Sequence, residues 1–311
     1  MGGYSSHPLS NGKFAVEIIS MKPHIALTVS LLALSGQVTA EENSSTIYQT
    51  GTGNVASSDQ TDHATYGSHI YQTQEGDIHH AVALQQSESN SHIYQTQGGS
   101  MNDAYSRQSG GLENHSNIAQ SGSANHADTV QLQTQYSEAA IQQYGVDNRA
   151  KIYQIGGYGN VAVIQQDGEV HDAHIGQYAS VDSDAYIKQH GSYNEAQILQ
   201  SGLEQMADIT QTGAGLVALI EQSDVHNEAW INQDGHGNEA YVTQHSWYNY
   251  ADIKQYGYYN RADVLQYGGG AHLAIVKQDG GANEAIITQI GISQTAIISQ
   301  SGVGNKAIVS Q

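Results

Sequence analysis

From residue 120 onward, alanine, a β-branched residue and glutamine alternate along the chain, and successive glutamines are 11 or 12 residues apart. Ala196, Ile198 and Gln200 form one such unit, and the middle position is Ile or Val everywhere except at Thr129. Residues at i, i+2 and i+4 lie on one face of a β-strand. Each unit therefore predicts one short strand and one turn. The recurring glutamines are Gln120, Gln131, Gln143, Gln154, Gln166, Gln177, Gln189, Gln200, Gln211, Gln222, Gln233, Gln244, Gln255, Gln266, Gln278, Gln289, Gln300 and Gln311.

A right-handed helical coil is the alternative for an 11-residue period. The residue types argue against it, because β-branched side chains fit a pleated surface better than a helix. A glycine also lies between most units, and each would cost a helix roughly 1 kcal/mol. We therefore interpret the period as strand plus turn.

Every second turn carries a glycine two residues after its glutamine, whereas the intervening turns vary in length and residue type. The true repeat is thus a pair of units with two strands and two unlike turns. A turn position that takes glycine each time is expected to need a positive φ or a close backbone approach. These turn glycines are Gly51, Gly76, Gly99, Gly122, Gly145, Gly168, Gly191, Gly213, Gly235, Gly257, Gly280 and Gly302.

Two strands per repeat predict an all-β fold, a β-solenoid whose coils stack about 4.8 Å apart into two parallel, in-register sheets. Alanine and Ile or Val would fill a thin apolar seam between the sheets. The stacked glutamines would hydrogen-bond their amides along the axis as ladders. Representative core positions are Ala196, Ile198, Ala229, Ile231, Ala285, Ile287, Ala307 and Val309.

The repeats are regular over residues 120–311 and less regular over residues 41–119. In the earlier part the Ile position holds Ser58, Ala83 and Ser106. Residues 68–74 recur verbatim as residues 91–97. This duplication leaves the register before residue 97 open, because Gln72 and Gln74 could each be the strand glutamine.

Residues 21–40 have the features of a signal peptide: a basic start, a short apolar stretch and small residues at the end. The expected cleavage lies between Ala40 and Glu41. The apolar run is too short to cross a bilayer comfortably. Residues 1–20 are interpreted as an over-called start upstream of Met21, although Met1 and Met21 both stay open as the start. We expect secretion without a retained anchor.

Composition excludes several classes of function. The chain has no Cys, so a disulfide scaffold and a thiolate metal site are excluded. Its formal charge of −20 is opposite to what electrostatic binding of nucleic acid requires. The 16 histidines show no metal-ligand spacing, and loops of nearly constant length leave no room for an active-site cleft. We expect no enzyme activity, no cofactor and no metal site.

The tight unit has the motif Gln-x-Gly-x-x-Asn-x-Ala-x-x-x-Gln, which residues 189–200 and 233–244 satisfy fully. It resembles the curlin repeat of curli, the extracellular amyloid fibres of bacterial biofilms, over residues 45–311. The resemblance implies a subunit that is exported through the periplasm, folds as a β-solenoid and polymerises end to end at the cell surface. It implies as partners copies of the chain, other curlin subunits, an outer-membrane secretion channel with accessory proteins, and host or matrix surfaces.

Two roles within this family stay open on the sequence, a major fibre subunit and a minor nucleator. A monomeric, capped solenoid adhesin is the alternative from another class. The final unit, ending at Gln311, is an unmodified repeat whose only charged side chain is Lys306. We therefore expect an open strand edge at that end, which favours the fibre. The sequence does not predict the handedness of the solenoid or the surface ligand.

Overall fold

The chain folds into two long parallel β-sheets that face each other. The computed structural model describes residues 27–29, 43–60, 62 and 64–311, and no helix occurs within these ranges. Consequently the described residues contain no helix long and apolar enough to cross a membrane.

Sheet A has 13 strands and sheet B has 12. In spatial order, sheet A contains β1 (Leu27–Val29), β2 (Ser44–Thr52), β4 (His69–Asp77), β6 (His92–Ser100), β8 (His115–Ser123), β10 (Glu138–Val146), β12 (Val161–Glu169), β14 (Asp184–Ser192), β16 (Met206–Ala214), β18 (Glu228–His236), β20 (Tyr250–Tyr258), β22 (Leu273–Gly281) and β24 (Thr295–Val303). Sheet B contains β3 (Val55–Asp59), β5 (His80–Gln86), β7 (Asp103–Ser109), β9 (His126–Gln135), β11 (Arg149–Tyr158), β13 (Asp172–Val181), β15 (Glu195–Leu203), β17 (Val217–Val225), β19 (Glu239–Gln244), β21 (Arg261–Gly268), β23 (Glu284–Gly291) and β25 (Lys306–Ser310).

Each coil contributes one strand to each sheet, so the predicted β-solenoid is confirmed. Neighbouring strands are parallel and in register, as in the pairing of Ala139 with Ala162 and of Gln143 with Gln166. Strand β1 is the exception, because it pairs antiparallel with β2. The expected cleavage site at Ala40 and Glu41 and the upstream residues 1–20 lie outside the described residues.

The register before residue 97 is settled by the strand pairing. Gln74 pairs with Gln97, which in turn pairs with Gln120, so these glutamines continue the regular column. Gln72 and Gln95 also face inward, two residues earlier, and the Gln72 Nε2 donates to the Gln95 Oε1 at 2.8 Å. Both candidates are therefore interior residues, which is why the sequence alone could not choose between them.

Alternation along each strand sends one set of side chains inward. The alanine and Ile or Val positions form one continuous buried cluster from Ala104 to Ile298, and Ala307 and Val309 pack against its end. Ile70, Ala83 and Ile93 form a second, smaller cluster. These side chains are buried between the inner faces of the two sheets, and burial of each Ile stabilises the fold by roughly 1.5–3 kcal/mol.

A belt of hydroxyl groups lies between the two apolar clusters. Thr129 Oγ1 and Ser106 Oγ are 3.0 Å apart in sheet B, and Ser116 Oγ of sheet A is 2.6 Å from the Thr129 Oγ1 and 3.1 Å from the Ser106 Oγ. The Gln95 Nε2 also donates to the Ser106 Oγ at 3.0 Å. These bonds satisfy buried polar groups where the rest of the core has Ile and Ala.

The tight turn, which follows each sheet A strand, brings successive backbones very close together. All the turn glycines named above have positive φ, for example +118° at Gly145. A Cβ atom placed on Gly145 would lie 1.9 Å from the carbonyl oxygen of Gly168 in the next coil. The variable turn, which follows each sheet B strand, differs from coil to coil in length and residue type, and there Asp224 and Ser246 adopt φ of 77° and 98°.

Candidate assembly interface

The inward glutamines of sheet A form one unbroken ladder of amide hydrogen bonds. Each Nε2 donates to the Oε1 of the glutamine one coil closer to the C-terminus, at 2.8–2.9 Å from Gln74 through Gln300. Gln49 donates to Gln74 in the same way and begins the ladder. The ladder therefore has one direction: the N–H that joins each glutamine to the next always points toward the C-terminal end.

Sheet B carries a second ladder with the same polarity. It begins with a bond from Gln60 to Gln85 at 2.6 Å, and continues at 2.8–3.0 Å from Gln85 through Gln289. Gln311 does not extend it. This residue lies one position beyond β25 and is exposed. Its Nε2 makes only the bond to the opposite sheet, to the Thr295 carbonyl at 3.2 Å.

The other N–H of each ladder amide ties the two sheets together. The Gln143 Nε2 of sheet A donates to the carbonyl of His126 in sheet B at 3.0 Å, and the Gln200 Nε2 of sheet B donates to the carbonyl of Asp184 in sheet A at 2.9 Å. Each interior amide thus uses both donors. Since an unpaired buried polar group costs about 1–3 kcal/mol, the ladders fix the register of the coils.

Asparagines in the tight turn form a second type of ladder, with the opposite polarity. The backbone N–H of Asn125 donates to the Oδ1 of Asn102 at 3.0 Å, and that of Asn148 donates to Asn125 at 3.1 Å. The Asn305 N–H ends the series by donating to the Oδ1 of Asn283 at 3.0 Å. Here the acceptor of each residue faces the C-terminal end.

Several residues at this ladder position are not asparagine, and sequence reasoning found only some of them. The motif identifies substitutions at His79, His171 and Leu216 in the tight turn and at Gln205 and Gln294 in the variable turn. It missed His272 and the serines of the variable turn, such as Ser91, Ser137 and Ser183, which are also buried. Their sequence signal is their place two residues before an inward Ala or Ile.

The two ends of the solenoid expose complementary groups. At the C-terminal end face, formed by β24 and β25, the Gln300 Nε2 and the Asn305 Oδ1 have no further described coil to bond to. At the N-terminal end face, formed by β2 and β3, no described residue donates to the Gln49 Oε1 or accepts from the Asn54 N–H. A donor and an acceptor on one face therefore correspond to an acceptor and a donor on the other.

The outer faces carry ion pairs that bridge neighbouring coils. The Arg261 guanidinium contacts Glu239 at 3.2 Å and Asp263 at 3.0 Å. On β5, β7 and β9, Asp103 lies 2.9 Å from His80 and 3.2 Å from His126. Hydrogen bonds first to Asp103 and then to Asp128 raise the pKa of His126 to about 9. Its stabilising effect is therefore complete below about pH 6.5, the usual value for His, and is lost as the pH rises through about 9.

One carboxyl group is buried inside the variable turn. Glu88 is fully buried, and its Oε2 accepts hydrogen bonds from Ser91 at 2.7 Å and Asn114 at 3.3 Å. Burial raises the pKa of this carboxyl. It therefore favours the folded state at acid pH, and this contribution is lost as the pH rises. Within the parts of the chain that the structure describes, no group of three or more His, Asp or Glu side chains is arranged to hold a metal ion.

Comparison with known protein families bears directly on these repeats. The family described as curlin associated repeat matches residues 182–213, 249–280 and 273–302. Each of these segments contains at least one tight-turn glycine, one ladder asparagine and glutamines of both ladders. No curated protein matches the chain.

Proposed function

We propose that this curlin-family protein is a secreted structural subunit that stacks end to end into extracellular amyloid fibres. The observation that supports this most directly is the fixed direction of the glutamine ladders and of the asparagine ladder. It makes the two end faces complementary to each other and not to themselves. A Gln300 N–H meeting another Gln300 N–H would leave both donors unpaired, whereas Gln300 meeting Gln49 of the next copy forms a normal ladder bond.

The sheet edges lead to the same assembly. Strands β24 and β25 each pair on one side only among the described residues, and an unpaired edge is a template for strand addition. Contacts between two different surfaces of one molecule are heterologous, and without closure they propagate into filaments. A second copy would then place its β2 on β24 and its β3 on β25.

Export is part of the proposal. Cleavage between Ala40 and Glu41 would remove β1, the antiparallel strand that pairs with β2. The parallel edge of β2 would then be free to receive β24 of another copy. The expected partners are other curlin subunits, an outer-membrane secretion channel with its accessory proteins, and matrix or host surfaces around the fibre.

Fibre growth from the purified chain tests this function. We expect residues 41–311, diluted from denaturant, to form sedimentable fibres that bind thioflavin and that elongate faster when seeded. Gln300→Leu should slow seeded elongation about tenfold, because the lost ladder bond is worth about 1–3 kcal/mol and 1.4 kcal/mol is a factor of ten. Ser299→Ala, on the exposed side of the same strand, is the matched control and should elongate normally.

The outcomes separate the function from the detail of the junction. A refolded chain that stays monomeric at every concentration and with every seed would contradict the fibre proposal and would favour a solitary adhesin. Fibres that elongate equally fast with Gln300→Leu and Ser299→Ala would keep the function but contradict the proposed pairing of the end faces.

A further inference from the structure

We infer that His171 and His272 are pH-sensitive rungs, neutral imidazoles that replace asparagine in the turn ladders and weaken the solenoid when they gain a proton. Both side chains are buried, each only 1% exposed. His171 lies in the tight turn between β12 and β13, and His272 lies in the variable turn between β21 and β22. The tight-turn ladder and the matching ladder of the variable turn therefore each contain at least one buried histidine.

Asn148 shows what a residue at this position must do. Its Oδ1 accepts the backbone N–H of the ladder residue in the next coil, which is His171, at 3.0 Å. Its Nδ2 donates to two carbonyls, that of Tyr144 four residues earlier at 3.3 Å and that of Gly168 in the next coil at 3.0 Å. The position thus needs one acceptor that faces the C-terminal end and one donor that faces the turn.

His171 reproduces this pattern with its two ring nitrogens. The Nδ1 accepts the backbone N–H of Asn194 in the next coil at 3.4 Å. The Nε2 lies 3.3 Å from the carbonyl of Asp167, four residues earlier, and also faces the backbone of Gly191. His79 makes the equivalent contacts, to the Asn102 N–H at 3.3 Å and to the Glu75 carbonyl at 3.1 Å. The imidazole Nδ1 therefore takes the place of the asparagine Oδ1 as acceptor, and the imidazole Nε2 takes the place of the Nδ2 as donor.

His272 makes the same axial contact on the other edge. Its Nδ1 accepts the backbone N–H of Gln294 at 3.3 Å. The backbone N–H of His272 donates to the Oδ1 of Asn249 at 3.3 Å, so His272 continues the ladder in both directions. The chemistry at both sites requires the same tautomer, with the proton on Nε2 and a free lone pair on Nδ1.

Neither imidazole ring can bind a second proton without losing its contact with the next coil. Protonation of Nδ1 would set an N–H against the backbone N–H of the next coil and would remove an acceptor from the ladder. It would also place a charge inside the turn. The charged groups that face His171 are Asp167, which favours the proton, and His190, which opposes it; only backbone groups of Tyr267 and Gly291 face His272. Burial is the largest influence at both sites and lowers the pKa of both imidazoles.

The direction of the pH effect follows from these contacts. The unfolded chain binds a proton at each histidine near pH 6.5, its usual pKa, whereas the folded chain resists it until a lower pH. Stability from these two rungs is therefore complete above about pH 6.5 and decreases as the pH falls below it. The solenoid is expected to loosen in acid first at the coils that contain these residues.

The pH dependence of unfolding, measured on refolded residues 41–311 before any assembly, tests this without requiring fibres. We compare the wild-type chain with His171→Asn/His272→Asn, which restores the usual ladder residue. Between pH 7.5 and 5.0 the wild type should lose stability relative to this variant, with an excess uptake on unfolding of up to two protons per molecule. His236→Asn, a change at an exposed histidine outside the ladders, is the control and should follow the wild type.

Two results would overturn the inference. One is an identical pH dependence of the denaturant midpoint in the wild type and in His171→Asn/His272→Asn. The other is a nitrogen NMR spectrum of the refolded wild-type chain at pH 7 in which these two rings are protonated on Nδ1. The spectrum needs no variant to fold, and it is independent of whether the chain forms fibres.

Discussion

The interior glutamines show why one residue type is repeated at one position. A Gln side chain has an acceptor and two donors on a stem long enough to reach both the next coil and the opposite sheet. Gln143 does both, to Gln166 at 2.8 Å and to the His126 carbonyl at 3.0 Å. An Ile at this position would bury more apolar surface but would leave the His126 carbonyl and the neighbouring amides unpaired, which costs about 1–3 kcal/mol for each group.

Residue-scale chemistry was largely predictable where the partner lies a fixed number of residues away. The Ala, Ile and Gln positions and the tight-turn glycines follow from local alternation and period. The hydroxyl belt was not predictable, because Ser116 occupies an alanine position in sheet A while Ser106 and Thr129 occupy Ile positions in sheet B. These three substituted residues become neighbours only because sheets A and B face each other.

The tight turn provides a sharp test at a single residue. We predict that Gly145→Ala destabilises the chain by more than about 4 kcal/mol, since the new Cβ would lie 1.9 Å from the Gly168 carbonyl oxygen. Gly215→Ala should cost at most about 1–2 kcal/mol, the usual price of a left-handed alanine. Nothing surrounds that position, and Ala124 already adopts a φ of 57° at the equivalent place in another coil.

Denaturant unfolding followed by circular dichroism compares the two variants. Equal losses of stability in Gly145→Ala and Gly215→Ala would contradict the close approach of successive turns. They would indicate that the glycines are needed only for their backbone conformation.

At the scale of strands and turns, the prediction of two strands and two unlike turns per coil was correct, and the fold followed from it. The exact pairing before residue 97 needed the structure, because Gln72 and Gln74 both face inward. The sequence of a duplicated segment cannot separate two positions that alternate with the same period. The register is fixed instead by the stacking of β6 on β8, where the regular column begins.

The coils are not equally stable, and hydrogen exchange should separate them. Strands β4–β6 hold the small apolar cluster, whereas the continuous one extends from Ala104 of β7 to Ile298 of β24. We predict that amide protons of β2–β6 exchange faster than those of β10–β23, because less apolar burial opposes local opening. The change should occur at the hydroxyl belt around Ser106 and Thr129. Uniform protection along the whole chain would contradict this division of the core.

At the scale of the whole molecule, the formal net charge is −20, and among the described Asp, Glu, Lys and Arg residues only Glu88 is buried. Parallel stacking repeats similar positions along the axis, so the structure needs oppositely charged neighbours where acids accumulate. Arg261 between Glu239 and Asp263 and Lys306 beside Glu284 provide them. Arg261 and Glu239, like Lys306 and Glu284, lie 22 residues apart, one coil step, so the period of the sequence predicts these two pairs.

Features that extend along the whole solenoid also determine whether the molecule stays monomeric. The ladders, the parallel sheets and the turn-to-turn contacts all repeat with one axial step, so a coil of another copy is equivalent to the next coil of the same chain. Among the described strands, β24, β25 and β3 pair on one side only, and β2 would do so once β1 is removed. We therefore expect the junction between two molecules to be a normal coil step of about 4.8 Å.

Electron cryomicroscopy of fibres grown from residues 41–311 tests this junction most directly. The account predicts two continuous parallel sheets, with β24 of one molecule paired to β2 of the next and all molecules pointing the same way along the fibre. The axial repeat for each molecule of about twelve coils should be about 58 Å, twelve steps of 4.8 Å. Fibres whose sheets stop at each molecular boundary, or whose molecules alternate in direction, would contradict it.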